Sequence, residues 1–502
     1  MLYSGNEQIS AHDILQSIKS KKSAFWETER EQRALELFHA AAKRVPAYKD
    51  FLKKNSIQPA KIKTFSDFQS VPIVSKKDYL KEYPLEAVCW DGTLKKPLVF
   101  TSTSGSTGDP FYFPRGHELD WEASVAHEIF LSHHLQKNDD STLVIVGFGM
   151  GVWIGGLITY EAFNLASNRK KHPVSILTTG INKKEIFNAL KNIAPNFKQV
   201  ILAGYPPFLK DILDEAENHG INLHKLNIRL LFAAESFPET FRDYVSKKAG
   251  IRNPYLDTLN VYGTADIGAM AWETPTAILM RRLAMKKKKL FNELFTPLEK
   301  TPTLTQYNPM FVTFEEQNGQ VLLTGNNTIP LVRYAVGDHG GVMSYTEAEY
   351  AIKENGFDLK KEAGKAGIKD IYELPFVYVY ERNDFSTTLY GLQVYPEPIR
   401  EALLEKPINQ FLTGKFTMLT KFSKNHDQYL EINLELKNGK KPTTYLEKAT
   451  LLRIVATLRA KNSEYRELSD YLKKRAYPRL HFWPNEHPLY FKLGIKQKWV
   501  KK

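Results

Sequence analysis

Residues 99–114 read VFTSTSGSTGDPFYFP, a stretch dense in hydroxyl side chains and glycine that follows a short apolar run. Small residues after a strand let several backbone N–H groups converge on an anion, and Ser and Thr hydroxyls add donors. A Walker A loop is excluded because Asp109 and Pro110 stand where Gly-Lys-Ser/Thr would be needed. A serine-hydrolase elbow is excluded because Ser104, not glycine, comes two positions before Ser106. The stretch predicts a phosphate-binding loop, with an ordinary surface turn as the competing interpretation.

Short apolar runs and amphipathic stretches alternate in the chain that follows. The runs LVIVGF, VSILTTG, QVILAGY and IRLLFAAE are separated by helix-like segments such as NKKEIFNALKNIA, PPFLKDILDEAENHG and PETFRDYVSKKAG. Strands separated by helices of this length indicate βαβ units in a mostly parallel sheet covered on both faces. Beyond Gly263 the sequence pattern predicts more strands, and MFVTFEEQNGQVLLTG predicts a hairpin around its Asn-Gly turn. The predicted fold class is α/β.

The two ends of the chain differ from this middle. Residues 28–83 have helical periodicity that is interrupted at Val45-Pro46 and Val71-Pro72, where proline blocks continuation of a helix. From about residue 384 onward, strands (TGKFTMLTKF, YLEINLEL) mix with a helix near 445–460. We therefore expect a large N-terminal domain over residues 1–383, with a helical preface over 1–95, and a small mobile α+β domain over 384–502. Residues 272–318, which contain RRLAMKKKK, are expected to form a solvated insertion.

Composition narrows the classes of partner and compartment. The 502 residues include 69 Lys+Arg and 56 Asp+Glu, a net charge of +13 that would attract anions such as nucleotides, coenzyme A or nucleic acid. No nucleic-acid-binding module pattern accompanies the basic residues, so nucleic acid is not an expected partner. The lone Cys89 excludes an internal disulfide and fits a reducing, cytoplasmic setting.

Two segments bear on targeting and on membrane insertion. The N-terminus has no basic region followed by an apolar core, so no signal peptide is expected. Residues 143–160 are uncharged and as long as a minimal membrane span of about 18 residues. Their five glycines favour a buried strand that ends in a glycine loop, because each glycine in a helix costs about 1 kcal/mol relative to alanine. No membrane span is expected.

Several motifs occur together in a specific order. The stretch TSGSTGDP (103–110) resembles the phosphate loop of the adenylate-forming superfamily, which includes acyl-CoA synthetases, luciferases and nonribosomal adenylation domains. YGTAD (262–266) is similar to its Tyr-Gly-x-Ser/Thr-Glu segment, PLVRYAVGD (330–338) to its Arg-Tyr-x-x-Gly-Asp segment, and residues 381–403 to its hinge region. Residues 44–85, FGMGVWIGG (148–156) and LFAAESFPETFR (231–242) resemble the phenylacetate-CoA ligase branch.

The resemblance implies a nucleotide-binding role for most of the candidate residues. These are the phosphate-loop residues Ser104, Gly105, Ser106, Thr107 and Gly108, with Glu235, Tyr262, Gly263, Thr264 and Asp338. Tyr262 would stack on adenine, and Asp338 would accept the ribose hydroxyls, which suits an acceptor-only group facing two donors. Glu235 would lie beside adenine and the acid substrate. The competing interpretations are a core tyrosine, a turn aspartate and a capping or buried structural acid.

The resemblance also assigns catalytic and interlobe roles. Thr107, Asp266 and Lys496 would act in catalysis, with Asp266 helping to hold Mg²⁺ and Lys496 neutralising the carboxylate and α-phosphate. Asp266 is one methylene shorter than the usual Glu, and Ala265 lacks the usual hydroxyl. Lys492 and Lys498 compete with Lys496 in the same basic tail. Arg382 and Asp384 correspond to the interlobe region, where Glu381 replaces the usual glycine.

The implied activity is activation of a carboxylic acid, aryl or related, by ATP to an acyl-adenylate, followed by transfer to a thiol. ATP, Mg²⁺ and coenzyme A are the implied cofactors and substrates. Two alternatives stay open: an adenylating enzyme whose acceptor is a carrier protein, an amine or a sugar, and a catalytically degenerate nucleotide-binding protein. The second is suggested by Ala265, by Phe111 where many relatives have Lys, and by the poor terminal lysine motif. The sequence leaves the oligomeric state open.

Overall fold

The fold is given by a computed structural model. It describes residues 10–102, 111–132, 140–152, 154–169, 173–295, 301–380, 386–488 and 490–491.

The helices and strands follow the order expected from the sequence, with helices first and the two kinds of element alternating afterwards. The helices are α1 (Ala11–Ser20), α2 (Ser23–Arg44), α3 (Pro46–Lys54), α4 (Phe65–Gln69), α5 (His117–Ser132), α6 (Ile154–Asn168), α7 (Lys183–Asn192), α8 (Pro206–Glu215), α9 (Glu239–Ala249), α10 (Pro254–Asp257), α11 (Pro275–Lys286), α12 (Lys288–Leu294), α13 (Tyr345–Glu354), α14 (Leu359–Lys365), α15 (Pro396–Leu403), α16 (Thr444–Lys461) and α17 (Ser463–Leu472). The strands are β1 (Val99–Ser102), β2 (Tyr112–Arg115), β3 (Thr142–Gly147), β4 (Val174–Leu177), β5 (Gln199–Gly204), β6 (Ile228–Ala233), β7 (Thr258–Thr264), β8 (Gly268–Trp272), β9 (Thr303–Gln306), β10 (Val312–Gln317), β11 (Gln320–Gly325), β12 (Leu331–Met343), β13 (Phe376–Val379), β14 (Thr387–Leu389), β15 (Leu392–Val394), β16 (Leu412–Phe422), β17 (Gln428–Leu436) and β18 (Arg479–Trp483).

One large mixed sheet organises the described residues. Its eleven strands lie in the order β10-β11-β12-β13-β9-β8-β7-β6-β5-β3-β4. At one end of the sheet, β4, β3, β5, β6 and β7 pair in parallel in that order. The remaining neighbours, from β7–β8 to β11–β10 at the other end, pair antiparallel. The predicted α/β class is confirmed, and the β-rich part of the chain continues the parallel half of the sheet.

Side chains of the parallel strands β3, β5 and β6 are buried on both faces, as the continuous apolar runs predict. On β3, Leu143 and Ile145 pack with residues of α7, α8 and α9, whereas Val144 and Val146 pack with residues of α5 and α6. Successive side chains of a strand point to opposite faces, so both faces need a helical cover. The apolar segment 143–160 is divided between strand β3 and helix α6. Among the described residues, no helix is long and apolar enough to cross a membrane.

The N-terminal helices form a layer on the antiparallel half of the sheet. Helix α2 ends at Arg44 and α3 begins with Pro46 in its first turn, where proline is tolerated, so the predicted break is confirmed. Phe38 of α2 is fully buried in a cluster that includes residues of β10, β11 and β12. The Asn-Gly hairpin is also confirmed, because Asn318 and Gly319 join β10 to β11 with φ of +55° and +76°.

The expectation that residues 272–318 form a solvated insertion is wrong. Ala277, Leu279 and Met280 of helix α11 are buried in a hydrophobic cluster that also includes residues of α12, α13 and α14. Strand β9 lies inside the main sheet. The Arg281 side chain is only 1% exposed and forms ion pairs with the carboxylates of Glu239 and Glu273.

The C-terminal residues form smaller sheets beside the large one. β14 pairs with β15, and β16, β17 and β18 form a three-stranded sheet. Apolar residues of α15, α16 and this sheet join the cluster that covers one face of β3, β5 and β6. The boundary predicted at residues 383 and 384 lies outside the described residues, so the division into two domains stays a prediction.

Candidate active site

A cavity of about 350 Å³ lies beyond the carboxyl ends of β6 and β7, between the large sheet and the C-terminal lobe (residues 386–488). Ligands of parallel α/β sheets bind at this end of the strands. The predicted residues that line the cavity are Glu235, Tyr262, Gly263, Thr264, Asp266 and Asp338. Thr388, Gly391, Gln393, Tyr395 and Glu464 line it from the C-terminal lobe.

The predicted phosphate loop borders this cavity through its two flanks. Strands β1 and β2 pair antiparallel with Ser102 opposite Tyr112, and Ser102 and Phe111 line the cavity. Residues 103–110 themselves lie outside the described residues. So do further predicted site residues, and the complete set is Ser104, Gly105, Ser106, Thr107, Gly108, Arg382, Asp384 and Lys496. Their roles stay predictions.

Asp338 and Tyr262 form a direct pair on one wall of the cavity. The Tyr262 hydroxyl on β7 donates a hydrogen bond of 2.6 Å to Oδ2 of Asp338 on β12, and both residues are buried. Gly337 precedes the aspartate with φ of +91°, a backbone conformation that favours glycine. The hydrogen bond fixes the orientation of an acceptor-only carboxylate that faces the cavity.

Asp266 lies between a lysine and a tyrosine. Its Oδ2 accepts a hydrogen bond of 2.7 Å from the Tyr334 hydroxyl, and its Oδ1 is 3.3 Å from Nζ of Lys76. Asp266 is 3% exposed, whereas the Lys76 side chain is 31% exposed and also lines the cavity. Thr264 Oγ1 accepts a hydrogen bond of 3.3 Å from the backbone N–H of Asp266. A buried carboxylate and an ammonium group thus stand side by side at this wall.

The described residues offer Mg²⁺ one carboxylate, not a complete protein cage. No group of three or more His, Cys, Asp or Glu with metal-binding geometry occurs among them. A single carboxylate suits Mg²⁺ that is bound mainly by substrate phosphates and water. Asp266 therefore fits the predicted metal role, with Lys76 as a second positive charge beside it.

Glu235 contacts the C-terminal lobe. Its carboxylate accepts hydrogen bonds from the backbone N–H of Gly391 and from Nε2 of Gln428, the latter at 2.9 Å. The residue lines the cavity, as predicted, and the two bonds show that it also joins the two sides of the cavity.

Comparisons with known proteins agree with this geometry. No family model matches the sequence. The phenylacetate-coenzyme A ligase of Aromatoleum evansii is 25% identical over 233 residues, which cover 45% of this chain and 48% of that protein. The phenylacetate-coenzyme A ligase of Pseudomonas putida is 23% identical over 302 residues, which cover 59% of this chain and 61% of that protein. The chain thus spans about half to three fifths of the length of these curated relatives.

A solved structure shows the fold. The crystal structure of 2-hydroxyisobutyryl-CoA ligase in complex with 2-HIB-AMP and CoA superposes with a TM-score of 0.60 at 14% identity, covering 99% of this chain and 94% of that one. The chain has the fold of this ligase and is similar in sequence to the two phenylacetate-coenzyme A ligases.

Sequence reasoning did not single out two residues of this site. Lys76 appears in the sequence as one of several lysines in the helical preface, and only the packing of that preface brings it to Asp266. Gln428 comes from the far side of the cavity, on β17. Lys76 is not distinguished from its neighbours within the 44–85 stretch, and Gln428 lies outside the motifs named above, so no local signal marks either residue.

Proposed function

We propose that this protein uses ATP to convert a carboxylic acid into an acyl-adenylate and then transfers the acyl group to the thiol of coenzyme A. The observation that carries the proposal is the meeting of Asp338, Tyr262, Asp266 and Lys76 at one cavity that the flanks of the 103–110 stretch also border. The names of the curated relatives and of the solved ligase support the same activity.

The first step joins two anions. A carboxylate oxygen of the acid attacks the α-phosphorus of ATP, the bond to the bridging oxygen breaks, and pyrophosphate leaves with its electron pair. The Lys76 ammonium and the N–H groups of residues 103–110 would offset the repulsion between the acid and the phosphates. Mg²⁺, when bound at Asp266 and the phosphates, would supply further positive charge. Asp338 would hold the ribose and so fix the α-phosphorus in line for attack.

The second step moves the acyl group to sulfur. The thiolate of coenzyme A attacks the acyl carbonyl carbon, the mixed anhydride breaks, and AMP leaves as the anion. The C-terminal lobe lines the cavity, so the thiol would approach past this lobe. We also propose that the protein acts in the cytoplasm, which its single cysteine supports, because a lone cysteine cannot form an internal disulfide.

An ATP–pyrophosphate exchange assay over aryl and fatty acids tests the proposal. We expect exchange that depends on one class of acid, and AMP release that depends on coenzyme A. Exchange without thiol-dependent AMP release would instead support a carrier protein, an amine or a sugar as acceptor. ATP binding without exchange for any acid would contradict the proposal and support a degenerate nucleotide-binding protein.

A further inference from the structure

A second, smaller cavity of about 30 Å³ adjoins the main one. Four residues line both cavities: His127, Leu231, Val261 and Ala269. The walls of the small cavity are mostly apolar and come from α5, β8 and neighbouring strands. A volume of roughly 10–15 Å³ holds one water-sized group, so the small cavity has room for about two such groups at the end of a ligand that occupies the main cavity.

His127 presents a hydrogen-bond acceptor at this junction. Its Nδ1 lies 2.8 Å from the carbonyl oxygen of Ala123. A carbonyl oxygen only accepts, so Nδ1 carries the proton. Burial lowers the pKa of His127 to about 4, so the ring is neutral at pH 7 and Nε2 is an acceptor. Nε2 is buried and has no hydrogen-bond partner among the described residues.

Trp272 presents the complementary donor. It lines the small cavity from β8 and is 5% exposed, and its Nε1–H is buried with no partner in the described part of the chain. Buried polar groups in native proteins are nearly always hydrogen-bonded, so each of these two ring nitrogens can take a partner from the small cavity. A hydroxyl group is the smallest group that satisfies both, because it donates one hydrogen bond and accepts others.

We propose that the substrate is a carboxylic acid whose acyl part bears a hydroxyl group at its far end, donating to His127 Nε2 and accepting from Trp272 Nε1–H. The inference rests on the proposed function and names the substrate class for that site. The apolar body of the acid lies in the main cavity, and the hydroxyl enters the small one. A hydroxyaryl acid has this chemistry.

Matched sets of acids test the proposal in the ATP–pyrophosphate exchange assay. Each set contains a parent acid such as phenylacetate, its 2-, 3- and 4-hydroxy isomers, and the corresponding methyl isomers, which have similar volume without the hydrogen bonds. We expect one hydroxy isomer to exceed its parent and its methyl counterpart by about tenfold or more in kcat/KM, because the acids without it leave both ring nitrogens unpaired.

Two variants and a control make the test specific. His127→Phe and Trp272→Phe should each lower the ratio of kcat/KM for the hydroxy isomer to kcat/KM for its parent acid. Tyr350→Phe, on an exposed side chain of α13, should leave the preference unchanged. If the parent acid or a methyl acid has a kcat/KM as high as that of every hydroxy isomer, the inference is overturned and the proposed function stands. This is the result expected if a water molecule, and not a substrate hydroxyl, pairs with the two ring nitrogens. A preference that survives in both variants would also overturn it, whereas no exchange with any acid would overturn the proposed function itself.

Discussion

Asp338 is the residue on which nucleotide binding should depend most, through its carboxylate. Asp338→Asn replaces one acceptor oxygen by an NH₂ group that would oppose either the Tyr262 hydroxyl or a ribose hydroxyl. We expect the Kd for AMP to rise by about 10- to 100-fold, as for a lost hydrogen bond to a charged group. Tyr262→Phe should have a smaller effect, because it removes only the group that orients the carboxylate. Titration calorimetry with AMP measures both, and Asp370→Asn, on an exposed loop, is the matched control. Equal Kd values for Asp338→Asn and the control would contradict the ribose role.

Lys76 offers a second prediction at the residue scale. Lys76→Met keeps an aliphatic side chain near the Phe113 ring and removes the charge beside Asp266. We expect the maximal exchange rate to fall by about 10-fold or more, because charge on the phosphates is less well offset. The Mg²⁺ concentration that gives half of that rate should fall too, since Asp266 no longer has a competing cation. Lys77→Met is the control, because Lys77 is exposed and does not line the cavity. An unchanged rate with a changed Mg²⁺ requirement would show that Lys76 acts on Asp266 alone.

Motifs located Asp266 and Asp338 in the sequence because each follows a short pattern of tyrosine and glycine, Tyr262-Gly263 before Asp266 and Tyr334 with Gly337 before Asp338. Lys76 and His127 could not be found in this way. Lys76 reaches the site only through packing of the N-terminal layer, and the significance of His127 depends on which of its nitrogens has a partner. Both facts belong to tertiary structure, which local patterns do not contain.

At the scale of elements, a buried ion cluster joins α9 to α11. Glu239 of α9 meets Arg242 at 3.0 Å and Arg282 at 2.6 Å, and Arg281 of α11 contacts the same carboxylate. Glu273 accepts a hydrogen bond of 2.7 Å from Arg242. This cluster explains why the 272–318 prediction was wrong: Arg281 is buried against Glu239, which lies 42 residues earlier in the chain, so the sequence around the arginine gives no sign of this partner. The hairpin and the βαβ strands were predictable because their signals are local and periodic.

The ion cluster predicts a pH-dependent stability. Burial alone would raise the pKa of Glu239, but the three arginines outweigh it and lower that pKa to about 2. A lowered carboxyl pKa contributes stability that is complete above the unfolded value of about 4.3 and is lost as pH falls toward 2. Glu239→Gln should therefore lower the free energy of unfolding at pH 7 by roughly 3 kcal/mol or more, because buried arginines lose their partner. Its stability should also fall less between pH 5 and pH 3 than that of the unmodified protein.

Urea unfolding at a series of pH values measures both effects. Glu401→Gln serves as the control, because Glu401 pairs with Lys461 at 3.5 Å on the exposed surface of the C-terminal lobe. Parallel pH profiles for Glu239→Gln and the unmodified protein would contradict the assignment of a low pKa to Glu239.

At the scale of the whole molecule, charged and polar contacts connect the C-terminal lobe to the large sheet. Lys210 of α8 lies 2.5 Å from Asp427, and Arg475 lies 2.6 Å from Asp211. The sequence predicted a separate lobe from its mixture of strands and helix, but not these contacts, because they join residues that are 217 and 264 positions apart. Glu235 joins the same two parts of the molecule through Gly391 and Gln428, and its carboxylate also lines the cavity.

Glu235→Gln separates two roles for that carboxylate. A carboxamide has one acceptor oxygen, so it cannot accept from both Gly391 N–H and Gln428 Nε2, and its NH₂ group would face one of these donors. If the role of Glu235 is to hold the C-terminal lobe against the large sheet, the lobe should be held less tightly in Glu235→Gln. We then expect the radius of gyration measured by small-angle X-ray scattering to rise while the Kd for AMP stays the same. If Glu235 instead contacts adenine, as the sequence predicts, the Kd should rise and the radius should not. Glu397→Gln, on the exposed face of α15, controls for a change of charge on the lobe. The contacts favour the first outcome, since both oxygens already have partners on the other side of the cavity, and an unchanged radius would contradict it.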